Sequence, residues 1–518
     1  MSISSVIKSI QDIMRKDAGV DGDAQRLGQL SWLLFLKIFD AQEEELEFEQ
    51  DNYKSPIPEQ YLWRNWAADN QGITGDELLD FINNQLIAKL KDLNAPLATN
   101  PRGYVVKEAF SDAFNYMKNG TLLRQVVNKL NEIDFTNSQE RHLFGDLYEQ
   151  ILKDLQSAGN AGEFYTPRAV TRFIVQMINP QLGEAILDPA CGTGGFLACS
   201  VDTLKRQVKD TEGEQQLQKS IHGVEKKQLP HLLCTTNMML HGIEVPKQIR
   251  HGNTLNKPLS SIDIEEMVDV VVSNPPFGGT EEDGIEKNFP SEFQTRETAD
   301  LFLQYIIEVL KEKGRAAVVL PDGTLFGEGV KTKIKKLLLD ECNLHTLVRL
   351  PNSVFAPYTS IKTNILFFEK SACGDEKPAT KEVWYYEVPL PEGVKAFNKT
   401  KPMKLEDFAA CAEWWGEGKT IEDKTQRKNR QENEQAWLVS IDDIIARNYN
   451  LDIKNPHVGE VISHDPEELL AEYAKQQQGI QSLRDQLKGI LSDALTARDG
   501  GNAGNAGAIS SSRQGENA

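Results

Sequence analysis

At 518 residues and 58.1 kDa the chain is long enough for two or three domains around substantial cores. Its 40% hydrophobic and 26% charged content is that of an ordinary globular protein, and its most apolar run, Leu30 to Phe39, is broken by Ser31 and Lys37 and too short to span a bilayer. A net charge of −20 and a pI near 5.0 argue against an unaided grip on an anionic polymer, because neutralising phosphates takes Lys and Arg.

Residues 1–158 predict a helical domain. Leu27, Leu30, Leu34 and Ile38 recur at helical spacing, as do Leu78, Leu79, Ile82, Leu86 and Leu90. Asp76 is placed to cap the second of these helices. Turn clusters at 54–58 and 94–96 separate them, and 141–155 predicts one more helix. The segment holds no catalytic constellation.

After a flexible joint at 157–162, Glu163-Phe164-Tyr165-Thr166-Pro167-Arg168 opens a helix with Pro167 near its first turn. A helix N-terminus with a Thr hydroxyl beside it attracts a carboxylate. A short strand, 184–188, then runs from Asp188 into Pro189-Ala190-Cys191-Gly192-Thr193-Gly194-Gly195-Phe196 and a helix to about Val208. Strand, Gly-rich turn and helix suit a nucleotide-like ligand lying over a helix start. The spacing is not G-x-G-x-x-G and no Gly-Lys-Ser/Thr follows, which disfavours a phosphate cradle. A bulky residue at Gly194 is expected to fill the ligand's space. The next strand ends at Glu225, whose carboxylate can accept from both hydroxyls of a ribose. A third, 248–252, ends in Asn253-Thr254.

Val268-Asp269-Val270-Val271-Val272-Ser273 reads as a buried strand, stopped by Asn274-Pro275-Pro276-Phe277. Proline cannot donate to a ladder and pushes the preceding residue into extended geometry. The chain therefore leaves the sheet at its C-terminal edge, where open α/β sheets bind ligands. The Asn274 side-chain carbonyl and the Pro275 backbone carbonyl are acceptors, and neither is a base. Side by side they suit an NH2 group whose lone pair is delocalised into a ring or carbonyl. Bonds to both hydrogens favour the pyramidal amine and free the lone pair for attack. Phe277 can stack on a planar partner and exclude water.

Residues 278–296 predict a mobile loop, 300–310 a helix, 314–321 and 344–350 strands, and 354–368 a hairpin-like pair. The six cysteines (Cys191, Cys199, Cys234, Cys342, Cys373 and Cys411) are scattered without C-x-x-C, which predicts free thiols in a reducing compartment and no metal cluster. The N-terminus has no signal-peptide pattern, so a cytoplasmic location is expected. Residues 401–465 predict a polar connecting region. Within 466–498, Leu469, Tyr473, Ile480, Leu483, Leu487 and Ile490 follow steps of four and three, with Gln476 in the gap, a near-heptad seam that wants a partner helix. The Gly/Asn/Ala/Ser-rich 499–518 predicts disorder.

The Asp188–Phe196 turn and Asn274–Phe277, in that order, resemble the S-adenosylmethionine (SAM) and amine-holding motifs of amino-group DNA methyltransferases. Together with EFYTPR at 163–168, GRAAVVLPDG at 314–323 and VFAPYTSIKTNILFF at 354–368, the chain resembles the methylation (modification) subunits of type I restriction–modification systems over about residues 5–470. The resemblance implies an α/β, Rossmann-like SAM-dependent methyltransferase domain at 159–400, an N-terminal all-helical domain and a C-terminal helical tail. It implies N6-adenine methylation of double-stranded DNA with the target adenine flipped out. A separate specificity subunit would read the site, with two methylation subunits to each, and a restriction endonuclease subunit could join them; no membrane and no metal are implied. Expected SAM contacts are Glu163, Phe164, Tyr165, Thr166, Pro167, Arg168, Asp188, Ala190, Gly192, Thr193, Gly194, Gly195, Phe196, Glu225, Asn253 and Thr254. Asn253 departs from the Asp that relatives often hold against the adenine of SAM. Phe355 would stack on the target base opposite Phe277. Two other classes stay open: a protein-glutamine N5-methyltransferase, which uses the same Asn-Pro-Pro chemistry, and a non-catalytic SAM-binding assembly module. Which acceptor takes labelled methyl, DNA or a translation factor, separates the first, and an intact Asn274 argues against the second.

Overall fold

Apolar spacing at the N-terminus becomes a layer of helices. In the computed structural model, which describes residues 3–135, 148, 166–356, 359, 361–398, 401–416, 429–457, 477, 480, 481 and 483–489, helix α1 spans Ile3–Met14, α2 Asp23–Glu49, α3 Pro101–Phe110 and α4 Gly120–Leu130. Helix α2 buries Leu27, Leu30, Leu34 and Ile38 as their spacing demands, and Trp32, Leu33, Phe35 and Leu36 besides. A helix apolar all round is a core helix, and the others pack about it. Asn100 and Asn119 cap α3 and α4 by accepting from backbone N–H groups of the first turn. Asp76 is not a cap. Thr74 holds that position, and Asp76 lies inside the first turn of Gly75–Asp80, where its charge suits the helix dipole instead. The helical run continues through a π turn at Phe81–Leu86 into Ile87–Lys91, which keeps Leu78, Ile82, Leu86 and Leu90 on one buried face. The helix expected at 141–155 and the joint at 157–162 lie outside the described residues, Tyr148 apart.

The remainder of the first of two compact units, Met1–Asn455, is a nine-stranded sheet in the order β3-β2-β1-β4-β5-β7-β6-β8-β9. The strands are β1 Ile186–Asp188, β2 Ile221–Glu225, β3 Ile249–His251, β4 Val268–Ser273, β5 Leu310–Pro321, β6 Cys342–Arg349, β7 Thr363–Lys370, β8 Glu382–Glu387 and β9 Ala436–Ser440. Strands β3, β2, β1, β4 and β5 are parallel, and β7 runs antiparallel between β5 and β6. Parallel strands with both faces covered read as continuous apolar runs, and Val270, Val271 and Val272 are fully buried. The flanking helices are α5 Arg168–Ile178, α6 Gly195–Lys205, α7 Gln228–Leu240, α8 Thr298–Val309, α9 Val330–Glu341 and α10 Ala409–Trp415. Among the described residues no helix is long and apolar enough to cross a membrane.

Helix α7 has two apolar faces. Leu232, Leu233, Met239 and Leu240 join the core of the helical layer, while Cys234 and Met238 join the core beneath the sheet. Gln228 Nε2 donates to the Glu108 carbonyl at 2.6 Å, and Arg102 bridges the fully buried Glu43 carboxylate and the Glu244 carbonyl. The helical layer is thus packed directly against a helix of the sheet domain.

Two expectations are corrected. Among the described residues of 354–368 there is no hairpin: 352–356 are turns, and β7 pairs with β5 and β6 instead. The apolar pattern there has another cause, since Val354 and Phe355 are buried as core side chains of a loop. The polar region after 400 is more than a connector. Strand β9 extends the sheet as its edge, and Phe408 lies flat on Phe173 of α5, centroids 4.2 Å apart. All six cysteines are free thiols, as expected. Trp437 on β9 is 1% exposed and stacks on Tyr385 of β8 at 5.3 Å. Trp437→Ala is expected to cost about 3–5 kcal/mol of stability, read by urea denaturation, whereas a connector would tolerate it within a few tenths.

Candidate functional site at the β1/β4 crevice

Strands β1 and β4 are neighbours whose connections leave in opposite directions, and a crevice opens beyond their C-terminal ends. Asp188 ends β1 and Ser273 ends β4. Ser273 Oγ donates to Asp188 Oδ1 at 2.8 Å, and the Ala190 N–H donates to the same oxygen at 3.1 Å. Burial pushes the Asp188 carboxyl up to about 7; these two hydrogen bonds pull it back, and the nearby Glu225 charge adds to the rise.

The turn after β1 is built to approach something closely. Gly192 and Gly194 have φ of 53° and 82°, in the left-handed region that glycine reaches without strain. A Cβ at Gly192 would meet nothing within 4 Å, so open space lies over it. At Gly194 a Cβ would instead meet Cys234 Sγ of α7 at 2.8 Å. This corrects the expectation for Gly194, which is needed for packing behind the turn, while Gly192 faces the opening. Glu225, at the end of β2, accepts from the Gly192 N–H at 2.9 Å and the Lys227 N–H at 2.8 Å. Asn237 of α7 donates to the Thr193 carbonyl at 3.0 Å. Arg168 reaches across from α5 to the Gly195 carbonyl at 3.1 Å.

The Asn274–Phe277 loop hangs over the same crevice. Asn274 Nδ2 donates to Thr166 Oγ1 at 2.9 Å. Asn274 Oδ1 is shut off from solvent yet has no hydrogen-bond partner among the described residues. An unpaired buried carbonyl costs free energy that an incoming donor would recover. Pro275 is buried, Pro276 is exposed, and Phe277 is 7% exposed. The Phe277 and Phe355 rings meet edge to face, centroids 5.8 Å apart at 82°. A planar ligand between them requires the two rings to part and turn.

Most of the expected residues therefore converge on one crevice. Glu163, Phe164 and Tyr165 lie outside the described residues. Phe196 is a core side chain of α6, and Pro167 is the residue before the first turn of α5. Asn253 is committed within the protein: its Oδ1 accepts from the Leu255 N–H at 3.0 Å and its Nδ2 donates to Glu281 Oε2 at 3.1 Å. Thr254 Oγ1 donates to the Pro189 carbonyl at 2.5 Å. Sequence reasoning missed Glu281, which also accepts from Thr298 and pairs with Lys226 at 3.3 Å, so the loop after Phe277 is tied to the ends of β2 and β3. It missed Ser273 as well, although its place directly before Asn274 was a usable signal; Glu281 offered none.

Either glycine of the turn, changed to Ala, puts a Cβ at positive φ, at about 1–2 kcal/mol. Gly194→Ala is expected to lower the melting temperature more than Gly192→Ala, because only its Cβ meets Cys234. Equal losses would show that the backbone angle alone matters.

Comparison with known proteins agrees with this geometry. The profile of the N-6 DNA methylases matches residues 139–465, and that of the HsdM N-terminal domain matches residues 3–130. The EcoEI methylase subunit of a type I restriction enzyme from Escherichia coli is 73% identical over 97% of this chain and 100% of its own length. A type I modification subunit from Vibrio vulnificus YJ016 superposes with a TM-score of 0.77 at 44% identity, covering 89% of this chain and 98% of that one. A chain of a type I restriction–modification system solved in work on complex assembly gives 0.77 at 37% identity, over 95% and 98%. Both family profiles and a relative matched along nearly the whole chain thus agree, and the chain belongs to the SAM-dependent N6-adenine DNA methyltransferases as a methylase subunit of type I restriction–modification systems.

Proposed function

We propose that Asn274 Oδ1 and the Pro275 carbonyl hold the N6 amine of an adenine flipped out of double-stranded DNA, in line with the methyl of SAM bound over the Gly192 turn. The observation that carries this is the buried, unpartnered Asn274 Oδ1 in the loop that follows β4. An amine with two hydrogens is the donor it lacks.

A base inside a duplex cannot reach such a crevice, so the adenine has to leave the stack. Phe277, with Phe355 turned aside to make room, offers it a ring to stack on. Two acceptors on the amine hydrogens favour the pyramidal nitrogen and localise its lone pair. When bound, SAM supplies an electrophilic methyl on a sulfonium. Transfer of that methyl to N6 would leave the S–CH3 electron pair on sulfur, and the proton N6 gives up would pass to solvent, since neither Asn274 nor Pro275 is a base. Neither Asn274 nor Pro275 ionises, so the acceleration comes from position.

The residues present fit SAM. The open space over Gly192 admits the methionine portion, with Asp188, Ala190, Thr193, Gly194 and Gly195 shaping the turn. Glu225 suits the ribose diol. Arg168 and Pro167 shape the start of α5. The Asn253 amide is engaged by the Leu255 N–H and by Glu281, so contact with the adenine of SAM would have to share or displace those bonds. Asn274→Ala is expected to abolish methyl transfer to target DNA while leaving SAM affinity within about threefold by calorimetry. Parallel loss of SAM binding would make the loop structural.

The partners follow from charge. A chain at −20 that needs DNA in its crevice works best with a subunit that supplies the basic contacts and reads the sequence. Such a specificity subunit would take two copies of this chain, with an endonuclease subunit joining, in the cytoplasm. In the second compact unit, Ile480, Leu483 and Leu487 are 44%, 62% and 61% exposed, at spacings of three and four on a helix. The other seam positions, Leu469, Tyr473 and Ile490, lie outside the described residues. An apolar stripe this exposed, among the described residues, wants a partner. Removing residues 466–518 is expected to leave circular dichroism and SAM binding of the remainder intact and to abolish co-purification with the specificity subunit. Full-affinity assembly of the truncated chain would refute the docking role.

A further inference from the structure

Two struts hold the amine-binding loop. One is on the backbone side, where Ser273 Oγ donates to Asp188 Oδ1. The other acts on the catalytic side chain itself, where Asn274 Nδ2 donates to Thr166 Oγ1 at 2.9 Å. Thr166 stands just before α5, far from Asn274 in sequence, and the sequence points it only at a carboxylate.

A side-chain amide turns about its last torsion between two orientations half a turn apart. With Nδ2 bonded to Thr166, Oδ1 is left as the unpartnered acceptor, the orientation that would receive an amine from the crevice. In the other orientation Nδ2 faces the crevice, and the target amine would meet a donor where it needs an acceptor. The transfer step is competent in the first orientation alone. Ser273 is pinned to Asp188 and Pro275 stiffens the next step, so the flanking backbone is restrained while the amide torsion is set by the amide's own hydrogen bond. The only side-chain hydrogen bond on the Asn274 amide, among the described residues, comes from Thr166.

We infer that Thr166 is a positioning residue for methyl transfer: its hydroxyl oxygen accepts from Asn274 Nδ2 and so keeps Asn274 Oδ1 directed at the target amine. This rests on the proposed role of Asn274 and adds to it a second residue, on a different segment, that sets the amide's orientation. The hydroxyl hydrogen of Thr166 is not used in this bond. The contact therefore links the segment before α5 to the amine-binding loop without requiring either to move.

The test uses the full chain assembled with its specificity subunit and target DNA. Three variants, Thr166→Val, Thr166→Ser and Asn274→Ala, are compared with the parent. Single-turnover methylation is measured at saturating SAM, SAM affinity by calorimetry, and base flipping by 2-aminopurine fluorescence at the target position. Thr166→Val keeps the shape and removes the acceptor. It is expected to slow the transfer step about 10- to 100-fold, with SAM affinity and the fluorescence signal within about threefold of the parent. Thr166→Ser, which keeps the oxygen, is expected to transfer at close to the parental rate. The inference is overturned if Thr166→Val transfers at the parental rate, if Ser is as slow as Val, or if lost SAM affinity accounts for the whole defect. Should Asn274→Ala itself retain methylation, the proposed role of Asn274 fails. Should Asn274→Ala be inert while Thr166→Val is fully active, only the role of Thr166 fails.

Discussion

The hydrogen bond from Ser273 Oγ to Asp188 Oδ1 joins the ends of β1 and β4, and the chemistry of this protein depends on that junction. The Gly-rich turn leaves the sheet from one strand and the Asn274 loop from the other. Because the two strands are neighbours at the reversal of strand order, the turn and the loop face one crevice although they are distant in sequence. The junction is fully buried, which pushes the Asp188 carboxyl up to about 7. A carboxylate kept in so dry a place is retained for its two hydrogen bonds, to Ser273 and to the Ala190 N–H, since desolvation alone would disfavour it.

Around the junction the protein is braced from both sides. Helix α7 packs Cys234 and Met238 behind the turn at Gly194, and its opposite face belongs to the N-terminal helical core. A disturbance in that helical layer has a contiguous packed path to the turn through one helix. On the far side of the sheet's centre, Arg315 of β5 binds Glu184 in a bidentate pair and the Ile178 carbonyl at the end of α5. The start of β1 and the end of α5, the helix that follows Thr166, are thereby fixed to β5.

On the proposed reading the site works by placing neutral groups. Its acceptors would be a carboxamide and a backbone carbonyl, neither of which titrates near neutral pH. The charges nearby have structural duties: Glu225 gathers the N–H groups of Gly192 and Lys227, and Glu281 ties the loop after Phe277 to Lys226 and Asn253. The Phe277 and Phe355 rings meet edge to face, a contact that a planar base would have to replace on the proposed reading.

Local patterns carried a large part of this protein. The valine run ending at Asn274-Pro275-Pro276-Phe277 and the Gly-rich turn after Asp188 were legible, because strand burial, proline chemistry and glycine's access to positive φ act over a few residues. The helical character of the N-terminal layer was equally legible from leucine spacing, and so were the family and its methyl-transfer chemistry. Other features needed the tertiary structure. That Ser273 meets Asp188, Thr166 meets Asn274 and Glu281 meets Asn253 depends on strand order and on loops crossing between layers, which no local periodicity encodes. Polar composition after residue 400 concealed β9, since an edge strand is stabilised by one neighbour and a few buried rings such as Trp437. The apolar alternation at 354–368 suggested two strands where one is a buried loop, because burial and not pairing demanded those side chains. Local sequence determined which groups could hold an amine; only the packing of the sheet decided which way the Asn274 amide faces and what holds it there.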